Sequence, residues 1–368
     1  MSAIVETPPL VGPEDGVIHD ARERQRRHRT VAVALVVAVV AACVAVLGSA
    51  GSVKDGRGGV GVPRQPLQIA AHEAVSELRV PAGVVDVATV DGGVWVSGFG
   101  AVTRIDTATR RMIVIKTPRT DDFSHIAVGD GSVWVTGLGT VYRIDPHLIR
   151  VVAAIHVGDA AVVGVAVGAG RVWVAVPRDG PGEVVQIDPS TNKVIGSPIE
   201  IGPGPSQVSY GEGAVWVQNT SPPSTMRIDP ATHRVSVAPT ILAVGEPATV
   251  SVLAAYGSVW DAGADALTRL GPRSGTVVAR IAILRAQQVV SGDGGLWVVA
   301  GPLSSTSSVF TPVKGTARLW EVDPRTNRII GQPARLDALE PIGLAVSRNA
   351  VWIGDYNRAT VTRIPLVR

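Results

Sequence analysis

Seven tryptophans recur along this chain at near-regular intervals, and that periodicity constrains the fold more than any other feature. They are Trp95, Trp134, Trp173, Trp216, Trp260, Trp297 and Trp352, separated by 39, 39, 43, 44, 37 and 55 residues. The phrase around one of them, Gly-Asp-Gly-Ser-Val-Trp-Val at 129–135, returns in altered form at the others. A second phrase follows each: Arg104-Ile-Asp106, Arg143-Ile-Asp145, Gln186-Ile-Asp188, Arg227-Ile-Asp229, Arg269-Leu-Gly271, Glu321-Val-Asp323 and Arg363-Ile-Pro365. Self-similarity near 40 residues marks a fold made of stacked units, none of which can bury its apolar face alone.

The copy at 126–156 shows what one unit does. Residues 126–128 and 133–135 read as short strands joined by a tight turn at Gly129-Asp130-Gly131-Ser132, where glycine takes positive φ without steric cost. Gly137-Leu138-Gly139 turns the chain back into a third strand at 141–144. Asp145-Pro146 opens another turn, since Asp can bond the backbone two residues on, and 151–156 is a fourth strand. Four antiparallel strands per copy and seven copies predict an all-β fold, a seven-bladed β-propeller of four-stranded blades over 75–368. The last copy stops after its third strand, while 75–80 reads as a spare fourth one. An N-terminal strand that completes the last blade would close the ring and remove two open edges.

Residues 1–29 are expected to be a disordered cytoplasmic tail. Arg22, Arg24, Arg26, Arg27 and Arg29 cluster at its end, and no charge occurs from Thr30 to Val53. Residues 30–50 are therefore predicted to be one transmembrane helix, N-terminus inside, with the repeats extracytoplasmic. Two other readings stay open: a signal-peptidase site at Gly48-Ser49-Ala50, and a lipobox-like Val40-Ala41-Ala42-Cys43 that would lipidate Cys43. Residues 51–74 hold Gly-Arg-Gly-Gly and two prolines and read as a flexible linker. Cys43 is the single cysteine, so no intrachain disulfide supports the fold. A formal charge of +3 over 368 residues gives no footprint for nucleic acid.

Gly-Asp-Gly-Ser-Val-Trp-Val, and Arg-Ile-Asp-Pro with a following Thr as at 227–232, resemble the virginiamycin B lyase-like (streptogramin lyase-like) family of seven-bladed propellers. The resemblance covers 75–368 and implies that architecture; related propellers include many binding domains of bacterial cell surfaces. It also implies, for the enzymes of the family, a His at a first-strand mouth, nearby Glu residues and magnesium. The positions three after each Trp are Gly98, Gly137, Val176, Asn219, Gly263, Ala300 and Asp355, with no Glu among them. Eleven before each Trp stand Val84, Phe123, Val162, Pro205, Thr249, Ala286 and Pro341, with no His. The catalytic set does not carry over.

In a propeller the turns between strands one and two and between three and four share one face. Here those are the regular Gly-Asp-Gly and Asp-Pro turns. The other face carries loops that vary, as a recognition surface requires. It collects Asp121, Asp122 and His125 before blade 2, Arg178 in blade 3, Gln218 and Asn219 in blade 4, and Asp355, Tyr356 and Arg358 in blade 7. Leu303–Lys314 is an insertion in blade 6 that either lies over the central opening or is a plain surface loop. Asp261 stands where every other copy has Val or Ile, so its carboxylate must be hydrated, paired with a group such as Arg269 or Arg273, or bound to a cation. His125 with Asp121 and Asp122 offers metal-ligand types, against the reading of an exposed loop His.

No catalytic residue, metal site or cofactor is assigned. The expected function is a binding or scaffold module for a cell-envelope ligand or protein, as a monomeric ectodomain. The alternative is a metal-dependent lyase or hydrolase at the central channel, for which His125, Asp261 and Asp355 would have to converge.

Overall fold

The computed structural model describes residues 76–90, 92–120, 124–220, 223–238, 251–263, 265–301, 316–337 and 341–366. The expected tail, transmembrane helix and linker, the insertion Leu303–Lys314, and Asp121 and Asp122 lie outside the described residues. Among those described, no helix is long and apolar enough to cross a membrane.

The repeats fold as seven antiparallel sheets, each a blade of a seven-bladed β-propeller. Blade 1 comprises Asp86–Val90, Gly93–Gly98, Ala101–Asp106 and Met112–Lys116; blade 3 comprises Gly164–Gly168, Arg171–Val176, Glu183–Asp188 and Lys193–Glu200. Blade 4 runs through Pro205–Gly211, Ala214–Thr220, Pro223–Ile228 and Val235–Ala238, and blade 5 through Ser251–Ala255, Ser258–Ala262, Leu267–Leu270 and Val277–Ile281. Blade 6 is Ala286–Gly292, Gly295–Ala300, Arg318–Asp323 and Arg328–Arg335.

Blade 2 keeps the expected layout, with Ile126–Gly129, Ser132–Asp145 and Arg150–Ala161. Ser132–Asp145 folds back on itself at Gly137-Leu138-Gly139, since its first part pairs with Ile126–Gly129, its last part with Arg150–Ala161, and Arg143 Nε reaches Ser132 Oγ at 2.8 Å. Gly139 sits at φ 63 in that turn, a conformation open to glycine.

Blade 7 is built from both ends of the described chain. Pro341–Ser347, Ala350–Asp355 and Thr360–Pro365 are joined by Ser76–Arg79, with Glu77 opposite Thr362 and Leu78 opposite Val361. The Val80 N–H extends the contact to the Ala359 carbonyl at 2.8 Å. The first strand of each blade packs on the first strand of the next, all the way round, so the first strands line the central axis.

Each interface between neighbouring blades holds its own apolar cluster, and each cluster is built on the Trp of the preceding blade. Trp134 of blade 2 packs among Val165, Val172, Val174 and Val185 of blade 3. Trp260 fills the interface of blades 5 and 6, and Trp352 that of blades 7 and 1. Burying one indole contributes on the order of 5 kcal/mol before ordering entropy is set against it. In six of the seven the indole N–H is also satisfied, Trp95 being the exception: Trp134 donates to the Gly129 carbonyl at 3.2 Å and Trp173 to that of Gly168 at 3.0 Å. Residue 168 is glycine because the next blade leaves no room; a Cβ there would lie 1.8 Å from the Tyr210 ring.

The third-strand arginines tie blades together. The Arg143 guanidinium donates to Ser132 Oγ at 2.8 Å, to Asn192 Oδ1 of blade 3 at 2.9 Å and to the Pro189 carbonyl, and it lies over the Trp134 ring. Arg269 repeats the arrangement toward Pro324 and Asn327 of blade 6. In blade 3 the guanidinium comes from the neighbouring strand instead. Arg171 occupies the place of Ser132 and donates to Gln186, which occupies the place of Arg143, and it reaches His233 of blade 4 at 3.4 Å.

Candidate functional site

The two ends of the propeller differ, and the regular end is structural. In five blades the third-to-fourth-strand turn is capped by its aspartate. Asp106 Oδ1 accepts the N–H groups of Ala108 and Thr109 and the Thr109 hydroxyl, at 3.1, 2.8 and 2.9 Å. Asp229 does the same for Ala231 and Thr232. The Thr109 N–H in the first case, and the Thr232 N–H in the second, favours the ionised carboxylate and lowers its pKa. Asp145 and Asp188 are lowered in the same way, chiefly by the Leu148 N–H and the Ser190 hydroxyl.

At the other end the first strands open onto the mouth of the central channel. The residue nine before each Trp stands there: Asp86, His125, Gly164, Gln207, Ser251, Gln288 and Gly343. These residues form a collar that joins blade to blade. Asp86 Oδ2 accepts the Ile126 N–H of blade 2 at 3.2 Å, Gln207 Oε1 the Val252 N–H of blade 5 at 2.6 Å, and Ser251 Oγ the Val289 N–H of blade 6 at 3.2 Å. Gln288 donates to the Ile342 carbonyl of blade 7. At the two glycines the next blade comes close: a Cβ on Gly343 would lie 2.6 Å from Val87 Cγ2.

His125 breaks the pattern by turning back. Its Nδ1 lies 3.3 Å from Asp86 Oδ2, and its own N–H donates to Thr136 Oγ1 at 2.7 Å. With the proton on Nδ1, the imidazole donates to the carboxylate. Side-chain exposures of 30% for His125 and 17% for Asp86 leave both reachable from the channel mouth. Asp86 was not among the residues singled out from the sequence. The available signal was that it holds in blade 1 the place His125 holds in blade 2.

A second polar group lies inside the interface of blades 4 and 5. Asp261 is wholly buried. Its Oδ1 accepts from Gln218 Nε2 at 3.2 Å and its Oδ2 from Thr225 Oγ1 at 2.7 Å. The expected partner Arg269 is committed to blade 6, as described above. Asp261 shares the side of its strand that faces blade 4, because the Trp at the preceding position faces blade 6. Thr225 replaces the Val or Leu found two before the third-strand Arg in every other copy. Asn219, next to Gln218, points to the other side of blade 4, where a Cβ on Gly202 would lie 2.6 Å from its Nδ2. Its side-chain atoms are buried and have no hydrogen-bond partner among the described residues.

The remaining expected residues lie apart. Arg178 pairs with Glu183 at 2.8 Å within blade 3. Asp355 is buried and its Oδ1 accepts the Arg358 N–H at 3.1 Å. Arg358 lies 3.9 Å from Glu77 of the closing strand and 3.5 Å from Asp337. The Tyr356 ring meets Phe99 of blade 1 edge-on, at 6.0 Å and 68°. The described residues contain no group of three or more His, Cys, Asp or Glu able to hold a metal ion. His125, Asp261 and Asp355, the set on which the metalloenzyme alternative rested, are held in separate networks.

The fold defines the class, and the comparisons reach no further. The chain is similar to a chain of the mitotic checkpoint complex (11% identity, 88% of this chain and all of that one, TM-score 0.64). It is also similar to the WD40 repeats of RRP9 (11% identity, 82% of this chain and all of that one, TM-score 0.63). The computationally designed Ika8 protein matches at 12% identity over 78% of this chain and 98% of its own, with a TM-score of 0.57. At such identities the likeness is one of fold. No protein-family profile matches the chain, and no curated protein matches it.

Proposed function

We propose that this chain is a membrane-anchored, extracytoplasmic β-propeller that binds a cell-envelope ligand or protein through its irregular end. The observation that carries the reading is the contrast between the two ends. One is a ring of capped turns; the other exposes a channel mouth with Asp86 and His125, the loops of Arg178, and the Tyr356–Phe99 pair. Anchoring rests on the uncharged stretch 30–53 behind five arginines. Propellers commonly serve as binding or scaffold modules, which agrees with an end whose charged groups are mostly engaged with one another. Kinship with the virginiamycin B lyase-like propellers rests on the repeat phrases alone.

The test is site-specific photocross-linking in intact cells. Probes at 178 and 358 should capture an envelope component, and probes at 130 and 212 on the regular turns should not. Equal capture from both ends would reject the assignment of the binding face. Protease added to spheroplasts should remove the propeller and spare a tag at Met1; protection of the propeller would reject the topology. With a net charge of +3, capture should change little with ionic strength.

A further inference from the structure

The irregular end carries an aromatic shelf that the repeat does not require. The residue four after the Trp is Tyr356 in blade 7, Phe99 in blade 1 and Leu138 in blade 2, three consecutive blades. Phe99 and Leu138 are each 43% exposed. The chain has only three Phe and four Tyr, so two rings meeting at one rim is a concentration. The Phe99 ring is also fixed. It lies on Gly83, where a Cβ would come within 2.8 Å of Cδ2, and its neighbour Tyr356 meets it edge-on.

The shelf borders the polar part of the collar. Asp86 pairs with Ser97, two residues before Phe99, and the His125 main chain pairs with Thr136, two residues before Leu138. Exposed aromatic surface, a carboxylate and an imidazole therefore lie at the same end of the same two blades.

We propose that this rim, over blades 7, 1 and 2, is a subsite for a neutral saccharide ring. A pyranose presents one apolar C–H face and an edge of hydroxyls. The face stacks on Phe99, and the hydroxyls bond Asp86 and His125, which between them accept and donate. A neutral ligand is favoured because, among the described residues, the charges at this rim oppose one another: His125 faces Asp86, and Arg358 faces Glu77 and Asp337. An extended peptide is disfavoured because the backbone here is already paired. Phe99 N–H donates to Ala82, Gly100 to Thr120, Leu138 to Arg119 and Val85 to Ser97, so these groups are not free to add a strand.

The proposal rests on the irregular end being the binding face. Purified full-length chain is titrated with maltohexaose, cellohexaose and chitohexaose, read by saturation-transfer NMR and calorimetry. At least one should bind, with saturation strongest on the C–H protons of one ring face. Phe99→Ala should weaken binding at least about tenfold, Phe99→Trp should retain it, and Asp86→Asn should weaken it. Phe99→Ala should leave the melting temperature near that of the parent, because the ring is half exposed. Binding by none of the three, or binding unchanged in Phe99→Ala, overturns the saccharide subsite. Photocross-linking from position 99 separates this failure from that of the wider reading. Capture of an envelope protein there, with no glycan bound, overturns the subsite and leaves the binding face standing; no glycan bound and no capture from 99, 178 or 358 removes both.

Discussion

The interface of blades 2 and 3 and that of blades 4 and 5 are built on the same repeat, yet their interiors differ. Among the described residues, Trp134 packs with Val172, Val174 and Val185 of blade 3, and Trp216 with Val252, Val259 and Leu270 of blade 5. The second interface also holds three polar substitutions that meet in space. Asp261 stands where other copies have Val or Ile, Thr225 where they have Val or Leu, and Gln218 where they have Ser, Thr, Ala, Val or Gly. Singly, each would strand a polar group in an apolar interior. Together they bond one another, which teaches that here the buried carboxyl group and the residues it meets on the facing blade have changed together.

The strongest way to probe that comparison is to remove the tryptophans. Trp134→Ala should cost about 3–5 kcal/mol, and Trp216→Ala should cost less by about 1 kcal/mol, since polar residues stand in for apolar ones in the interface it fills. Chemical denaturation of both variants measures it, and equal losses would mean that the polar interface packs as well as the apolar one. Next comes Thr225→Val, which keeps the shape and removes one donor from Asp261. Removing one hydrogen-bond partner from a buried polar group should cost about 1–2 kcal/mol. No loss would show that the Thr225 hydroxyl is dispensable to the carboxylate.

Restoring the consensus should reverse the sign. In the triple variant Gln218→Ala, Thr225→Val, Asp261→Val, the three changes together should be neutral or stabilise by about 1 kcal/mol, because replacing a whole buried polar group avoids its desolvation. Destabilisation beyond that of Thr225→Val would show that the network contributes net stability. The smallest effect lies on the regular face. The Asp106, Asp145, Asp188 and Asp229 pKa values are lowered by the hydrogen bonds of their turns, so folding binds fewer protons there. Their contribution is complete above the ordinary carboxylate range and is lost as pH falls through the lowered folded values. Melting curves of the parent and Asp229→Asn between pH 7 and pH 2 should converge toward acid; a constant gap would assign the effect to shape alone.

Much of this fold was legible because its signals are local. Trp spacing, paired turn residues such as Asp130-Gly131 (φ 52 and 65), and the aspartate of five third-strand phrases each act within a few residues. The closing strand was legible by counting, since one copy lacked a strand and the N-terminus had one to spare. The turn at Gly137-Leu138-Gly139 was legible too: Gly139 sits at φ 63 and Arg143 folds back onto Ser132 at 2.8 Å. The candidate site was legible only in part. His125, Gln218 and Asp261 were marked by their types, but Asp86, Thr225 and Phe99 look ordinary alone and matter through neighbours on another strand or blade.

By itself the sequence determined seven blades, their strand order, their turns and the closure of the ring, because backbone periodicity and steric limits act at short range and repeat. Only the tertiary structure decided which polar groups meet. A side chain on a blade faces one neighbour or the other, and its partner lies about one repeat away on another strand. That is why Asp261 bonds Gln218 and Thr225 while Arg269 reaches into blade 6, and why His125 turns to Asp86. Such pairings follow from which face of the sheet each residue occupies and how closely two blades approach, and both are set by packing.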